Sequence, residues 1–152
     1  MQSRYIPDRS IRASSQWDRN HGPERARLHI RKGRGKTGAW SARHNNRRQW
    51  IQIDLRRRYV ITMISTQGRQ DYNQWWVTSY TISYSNTGKR FNTYRTRQGV
   101  RVFVGNYDKN TVVTRVLRPI IKARFIRINP RTWYRHISMR LELYGRNIGI
   151  SK

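Results

Sequence analysis

The chain has no cysteine in 152 residues. This excludes disulfides, thiolate nucleophiles and cysteine-ligated zinc. Acid is scarce too, with 7 Asp+Glu against 33 Lys+Arg and a net charge of +26. No apolar run approaches the roughly 18 to 20 residues of a membrane-spanning helix. The opening "MQSRYIPDRS" lacks the apolar stretch of a secretory signal, and no Asn-x-Ser/Thr acceptor site occurs. The four histidines, His21, His29, His44 and His136, have no metal-ligand spacing. "GRGKTG" at 33–38 is half of a phosphate-loop motif with no strand before it. Asp18, Glu24 and His21 can be drawn as an acid/base set. Arg19 and Arg25 beside them favour plain salt bridges, and no nucleophile motif accompanies them. No catalytic residue and no cofactor is expected, and the chain reads as a non-enzyme.

Arginine is what the chain has in excess, with 27 of its 33 basic residues of that type. The planar guanidinium fork suits phosphate, sulfate and carboxylate and also lies flat on aromatic rings. Charge alone therefore points to heparin-like glycans, nucleic acid and anionic membranes as partners. A content of 36% apolar and 12% aromatic residues, including 6 Trp and 9 Tyr, is that of a folded domain and not of a basic tail. The length fits one domain over 1–152.

The prevailing period is two. In "WIQIDL", Ile51, Ile53 and Leu55 share one face while Gln52 and Asp54 share the other. "SMRLELYG" repeats the pattern, with Met139, Leu141 and Leu143 inward and Arg140 and Glu142 outward. "VITMISTQG", "VTSYTISYS", "VRVFVG", "TVVTRVL" and "ARFIRINP" are five further strands, punctuated by turns at "SNTGK", "GNYDKN", "LRP" and "NPRTW". Many short strands at this spacing predict an all-β antiparallel sandwich or barrel. Arg56, Arg57 and Arg58 then fall on a solvated strand-to-strand turn and, with Arg47 and Arg48, belong to a polyanion-binding coat.

Three stretches without strand pattern, 14–24, 31–49 and 68–76, mix Trp with Arg, Asn, His or Asp. Such a mixture can stack on a sugar or base, bond hydroxyls and meet an anion. Trp50, Trp76 and Trp133 each abut a strand and read as core.

Eight ordered blocks, "IRASSQW", "GPERARL", "WIQIDL", "STQGRQD", "WVTSYTISYSNTGK", "FVGNYDKNTVV", "ARFIRINPRTW" and "HISMRLELYG", resemble a discoidin domain, also called the coagulation factor V/VIII C-type domain. The resemblance implies a jelly-roll-like β-sandwich with binding loops protruding at one end, and an extracellular recognition module for carbohydrate, phospholipid head groups or protein ligands. It places Trp17, Asp18, Arg19, Asn20 and His21 on the first loop. Trp40, Ser41, Arg43, His44 and Asn45 fall on the second, and Arg69, Gln70, Asp71, Tyr72, Asn73 and Trp75 on the third.

The chain departs from the pattern at its C-terminal end, in its loops and in its arginine content. Relatives commonly end in Tyr-Gly-Cys and close their termini with a disulfide, which requires adjacent terminal strands; here Arg146 holds that place. Asn45 stands where some growth-factor-binding relatives carry a carboxylate. "QWWV" adds an indole, Trp75, to the usual Gln-Trp-Val. Parts of the family hold a structural calcium, yet seven acidic residues build no oxygen cage. The arginine excess marks a positively supercharged, strongly diverged or engineered member. The expected function is binding of cell-surface glycans or anionic phospholipid through the three loops. The alternative is general binding of heparin or nucleic acid through the arginine coat.

Overall fold

The computed structural model describes residues 1–148. The last four residues of the expected 1–152 unit lie outside the described residues. Among the described residues ten strands run in order: β1 (Ile11–Ala13), β2 (Trp40–Ser41), β3 (Ile51–Gln67), β4 (Trp76–Ser85), β5 (Asn92–Thr93), β6 (Arg95–Thr96), β7 (Gly99–Val100), β8 (Phe103–Val104), β9 (Val113–Tyr134) and β10 (Ser138–Asn147). Two short 3-10 turns, Asp8–Ser10 and Pro23–Ala26, are the only helical elements among the described residues. All the strand pairings are antiparallel.

Two long strands hold the fold together, where the sequence predicts four short ones. "WIQIDL" and "VITMISTQG" are a single strand, β3, and "TVVTRVL" and "ARFIRINP" are a single strand, β9. A bulge sets residues 55–58 of β3 against Arg124 alone, and a second sets residues 117–120 of β9 against Thr62 alone. The bulges kink both strands and let each serve two layers. Before its bulge β3 pairs with β1 and with the later half of β9, which also carries β4, flanked in turn by β5 and β8. Beyond it β3 pairs with β10 and the earlier half of β9, and β10 carries β2.

The expected turn at Arg56, Arg57 and Arg58 is therefore corrected to a mid-strand bulge. Arg56 takes a positive φ of 68°, and its N–H is held by the Asp54 carboxylate at 2.8 Å. All three arginines are exposed. "NPRTW" is also strand and not turn: Pro130 lies opposite Tyr80 at a register irregularity of β4 and β9.

The inward faces close on one core, in which Ile51, Ile53, Ile64, Tyr80, Phe103, Ile128 and Leu141 are buried. Each such side chain contributes about 1.5–3 kcal/mol on burial. The outward faces are less wet than alternation predicts. Gln52 is buried and accepts from Arg127 Nε at 2.8 Å, and that guanidinium lies between Trp50, at 4.1 Å, and Phe91, at 3.8 Å. Arg140, expected outward in solvent, is 1% exposed. Glu142 accepts from the Met1 and Gln2 nitrogens at 2.7 and 2.9 Å, tying the first residues of the chain to β10. Arg27 adds to this junction by bonding Met1 O at 2.7 Å and the Asp8 carboxylate at 2.6 Å.

Candidate functional site

One end of the sandwich gathers the β1–β2 connection, the β3–β4 loop and the β9–β10 turn, because β10 starts beside β2 and the end of β3, and Trp76 at the start of β4 faces Tyr134 at the end of β9. An aromatic crown forms there. Trp75 stacks on His136 with centroids 4.3 Å apart, and Trp17 meets the same imidazole edge-on at 5.2 Å. Tyr72 and Trp17 approach Trp75 edge-on at 5.1 and 6.1 Å, and His21 lies 6.3 Å from it. The Arg69 guanidinium sits over Trp75 at 4.8 Å and Tyr72 at 5.4 Å, a cation–π arrangement that fixes both rings. Trp17 remains 47% exposed and Tyr72 45%, so the crown presents aromatic surface to solvent while Trp75 is half-buried within it.

Polar bonds brace these loops. Arg69 grips the Asp71 carboxylate at 2.8 and 3.2 Å, and Gly38 N–H donates to the same carboxylate at 2.9 Å. Burial pushes the Asp71 carboxyl up, but Arg69 and Gly38 outweigh it and hold it below the usual carboxylate range. Gln70 accepts from Lys32 N–H at 2.9 Å. A Cβ on Gly38 would come within 2.7 Å of Gln70 Cβ, so only glycine lets the two segments meet this closely. On the first loop His21 Nδ1 donates to Asp18 at 2.6 Å, and this bond lowers the Asp18 pKa. Asp18 thus pairs with His21 and not with Arg19.

His136 donates from Nε2 to Ala42 O, which fixes its tautomer, since a carbonyl only accepts. Burial lowers its pKa, and the facing His21 and Arg69 lower it further, against the Ala42 bond. The folded crown therefore resists a proton that the unfolded chain accepts near pH 6.5. Stability contributed this way is present above about pH 6.5 and is lost as pH falls toward the folded-state value. Melting curves should show a decline beginning below about pH 6.5, well above the carboxylate range. His136→Gln, whose amide can still donate to Ala42 O, should abolish that step; an unchanged step would assign it elsewhere.

Of the residues expected on the loops, Trp17, His21, Arg69, Tyr72 and Trp75 meet in the crown. Asp18, Arg19, Asn73, Arg43 and His44 lie exposed on the loops, with Asn20 half-buried. Trp40 and Ser41 are corrected: they form β2 and are fully buried, with Trp40 Nε1 donating to Ser15 O and Ser41 bonded to Ser138. Asn45 braces the β9–β10 turn, donating to Arg135 O and accepting from Ile137 N–H. Trp50, Trp76 and Trp133 are half-buried; Trp133 packs against the main core, whereas Trp50 and Trp76 are corrected to positions outside it. Arg47 bonds Arg131 O at 3.1 Å and, like Arg48, stays at the surface. His136 was missed by sequence reasoning; its signal was its place in the turn "YRHIS" between two strands. Among the described residues no group of three or more His, Asp or Glu could hold a metal ion, and no helix is long and apolar enough to cross a membrane.

The F5/8 type C domain model matches residues 10–143. Coagulation factor VIII of Canis lupus familiaris is 36% identical over 149 residues, covering 95% of this chain and 6% of that protein. Coagulation factor V of Bos taurus is 40% identical over 152 residues, covering 95% of this chain and 7% of its own length. The chain therefore spans only a small part of these relatives. Wild-type discoidin II from Dictyostelium discoideum superposes with a TM-score of 0.81 at 32% identity, covering 89% of this chain and 53% of that one. With its bulged jelly-roll sandwich, its loop crown and a match along nearly its whole length, the chain belongs to the F5/8 type C, or discoidin, domain family.

Proposed function

We propose that the chain is an extracellular recognition module that binds the face of a cell-surface sugar on the Trp17–Tyr72–Trp75 crown. The observation that carries this reading is a rigid aromatic platform, locked by His136 and Arg69, with two rings open to solvent. Sugars offer an apolar C–H face to such rings and hydroxyls to the polar side chains around them, here Asp18, Asn20 and Asn73. Loops 14–24 and 68–76 contain no Leu, Ile, Val or Met, so their apolar surface is aromatic and suited to stacking on a sugar face. An anionic phospholipid head group is the second reading. Arg19, Arg43 and Arg135, exposed at this end, favour it because each basic residue near an anionic surface adds about 1 kcal/mol.

A glycan array and phosphatidylserine vesicles, read at about 50 and 500 mM salt, separate the two, since salt screens charge but not stacking. Selective glycan binding should persist in high salt and weaken about tenfold in Trp17→Ala, in line with roughly 1–3 kcal/mol for a stacked ring. Vesicle binding that survives high salt while every glycan fails would overturn the reading in favour of lipid.

A further inference from the structure

Away from the crown, the segment between Pro23–Ala26 and β2 forms a hollow of about 440 Å³ with the N-terminal residues. It is lined by Arg4, Arg25, Arg31, Arg34 and Lys36, with Ile30 and Gly33 completing the wall. The lining has no acid and no aromatic ring. A tight turn builds one side: Gly33 and Lys36 exchange backbone bonds at 3.0 and 2.9 Å, and Arg34 and Gly35 take φ of 52° and 74°. That conformation turns two successive residues outward, with Arg34 exposed. Lys36 is anchored through Nζ on Arg19 O at 2.7 Å, and Arg25 on Thr37 O at 2.7 Å and Arg31 O at 2.6 Å.

Five cations in one hollow repel one another. The nearby acids Asp8 and Asp71 are engaged elsewhere, by Arg27 and Arg69, leaving Glu24 as the carboxylate beside Arg25. Burial, with Arg4 opposite, lowers the Arg25 pKa in spite of these carboxylates. An anion placed among the five would relieve that repulsion and meet guanidinium forks in the geometry they favour.

We propose that this hollow is a binding site for the sulfate groups of a highly sulfated glycan, separate from the crown. Sulfate esters keep their charge at every physiological pH and need no ring to stack upon. Single-stranded nucleic acid depends on aromatic platforms for its bases, and the hollow offers none.

The test compares two variants that each lose three charges. One is Arg4→Asn, Arg31→Gln, Arg34→Asn, with asparagine chosen at the two positive-φ positions because it tolerates them. The other is Arg90→Gln, Arg95→Gln, Arg97→Gln, at exposed arginines outside this lining. None of the other four positions takes a positive φ, and both variants should melt like the parent. The probe is a heparin hexasaccharide, titrated at several salt concentrations. Loss of three sulfate contacts should lower the affinity at least about tenfold and reduce the slope of log affinity against log salt by about 2–3. The control variant should change either by less than about twofold. An unsulfated oligosaccharide of the same backbone should bind neither the parent nor the variants at this site. Equal losses in the two variants would show that net charge alone binds, and would overturn the site. An oligonucleotide of equal charge that suffers the same selective loss would overturn the glycan assignment. Should the first variant melt early, Arg31→Glu alone decides in the same way, since its side chain is exposed. Binding at the crown, read by Trp17→Ala, is independent of every one of these outcomes.

Discussion

Replacing Arg140 by leucine lowers the melting temperature by roughly 6–20 °C, the equivalent of about 3–5 kcal/mol in a domain of this size. The guanidinium is buried, and among the described residues no carboxylate is bonded to it. Its Nε donates to Gly68 O at 2.8 Å, Nη1 to Ile30 O at 2.9 Å, and Nη2 to Lys109 O at 2.7 Å and Asn110 Oδ1 at 2.8 Å. Three separate loops are thus held by one side chain. Burial presses its pKa down to about 10, with Arg31 adding to the effect and Asp71 opposing it, so it remains charged at neutral pH. Leucine fills part of the space but leaves those oxygens without a donor, each at about 1–3 kcal/mol where no water reaches. Lysine keeps the charge yet cannot span acceptors on three segments, so it should recover less than half of the loss. The urea midpoint should fall with an unchanged slope. A leucine variant that melts within about 2 °C of the parent would show that the carbonyls find other partners.

Arg140 also marks where the sequence stops being legible. Alternation placed Ile51, Ile53, Met139 and Leu141 correctly on the inner face, because a strand with one apolar side has a single way to lie. It put Arg140 in solvent because period two says only which face a residue takes, not whether loops fold over that face. The same limit applies to Arg127, whose guanidinium lies against Trp50 and Phe91, and to Gln52, which is buried and accepts from it. The long strands read as pairs of short ones because each bulge interrupts the apolar alternation, with three consecutive arginines, Arg56, Arg57 and Arg58, in one and Pro119 in the other. Arginine therefore has two uses here. Arg27, Arg69, Arg124, Arg127 and Arg140 are bonded into the fold, while Arg47, Arg48, Arg57 and Arg58 lie on its surface. In the crown, Trp17, Tyr72 and Trp75 were visible as aromatics in polar loops. The meeting of Trp17 and Trp75 on His136 was not, since it depends on a turn more than 60 residues beyond Trp75.

Replacing Trp75 by alanine should cost the selective, high-salt ligand more than any other change at the crown, about tenfold to hundredfold in affinity. Trp75 is the ring the others share: His136 stacks beneath it, Tyr72 and Trp17 meet its edges, and Arg69 lies against it. Its removal takes one surface from the ligand and loosens two more, so the loss should exceed that of Trp17→Ala, which leaves the rest of the cluster in place. Trp75 is half-buried and is not among the side chains packed into the main core. The melting temperature should therefore fall by only a few degrees, about 2–4 °C for each kcal/mol lost. Trp75→Phe keeps a ring over His136 and should restore most of the binding. Neutralising the bulge, with Arg56→Asn, Arg57→Gln and Arg58→Gln, should leave this high-salt binding unchanged, because those side chains lie on β3 away from the crown. Titration of all three variants against the best array ligand at about 500 mM salt decides the matter, since a Debye length near 4 Å leaves stacking and removes steering. If the arginine variant loses binding there and Trp75→Ala does not, recognition resides in the charged surface and the crown is only a packed loop end.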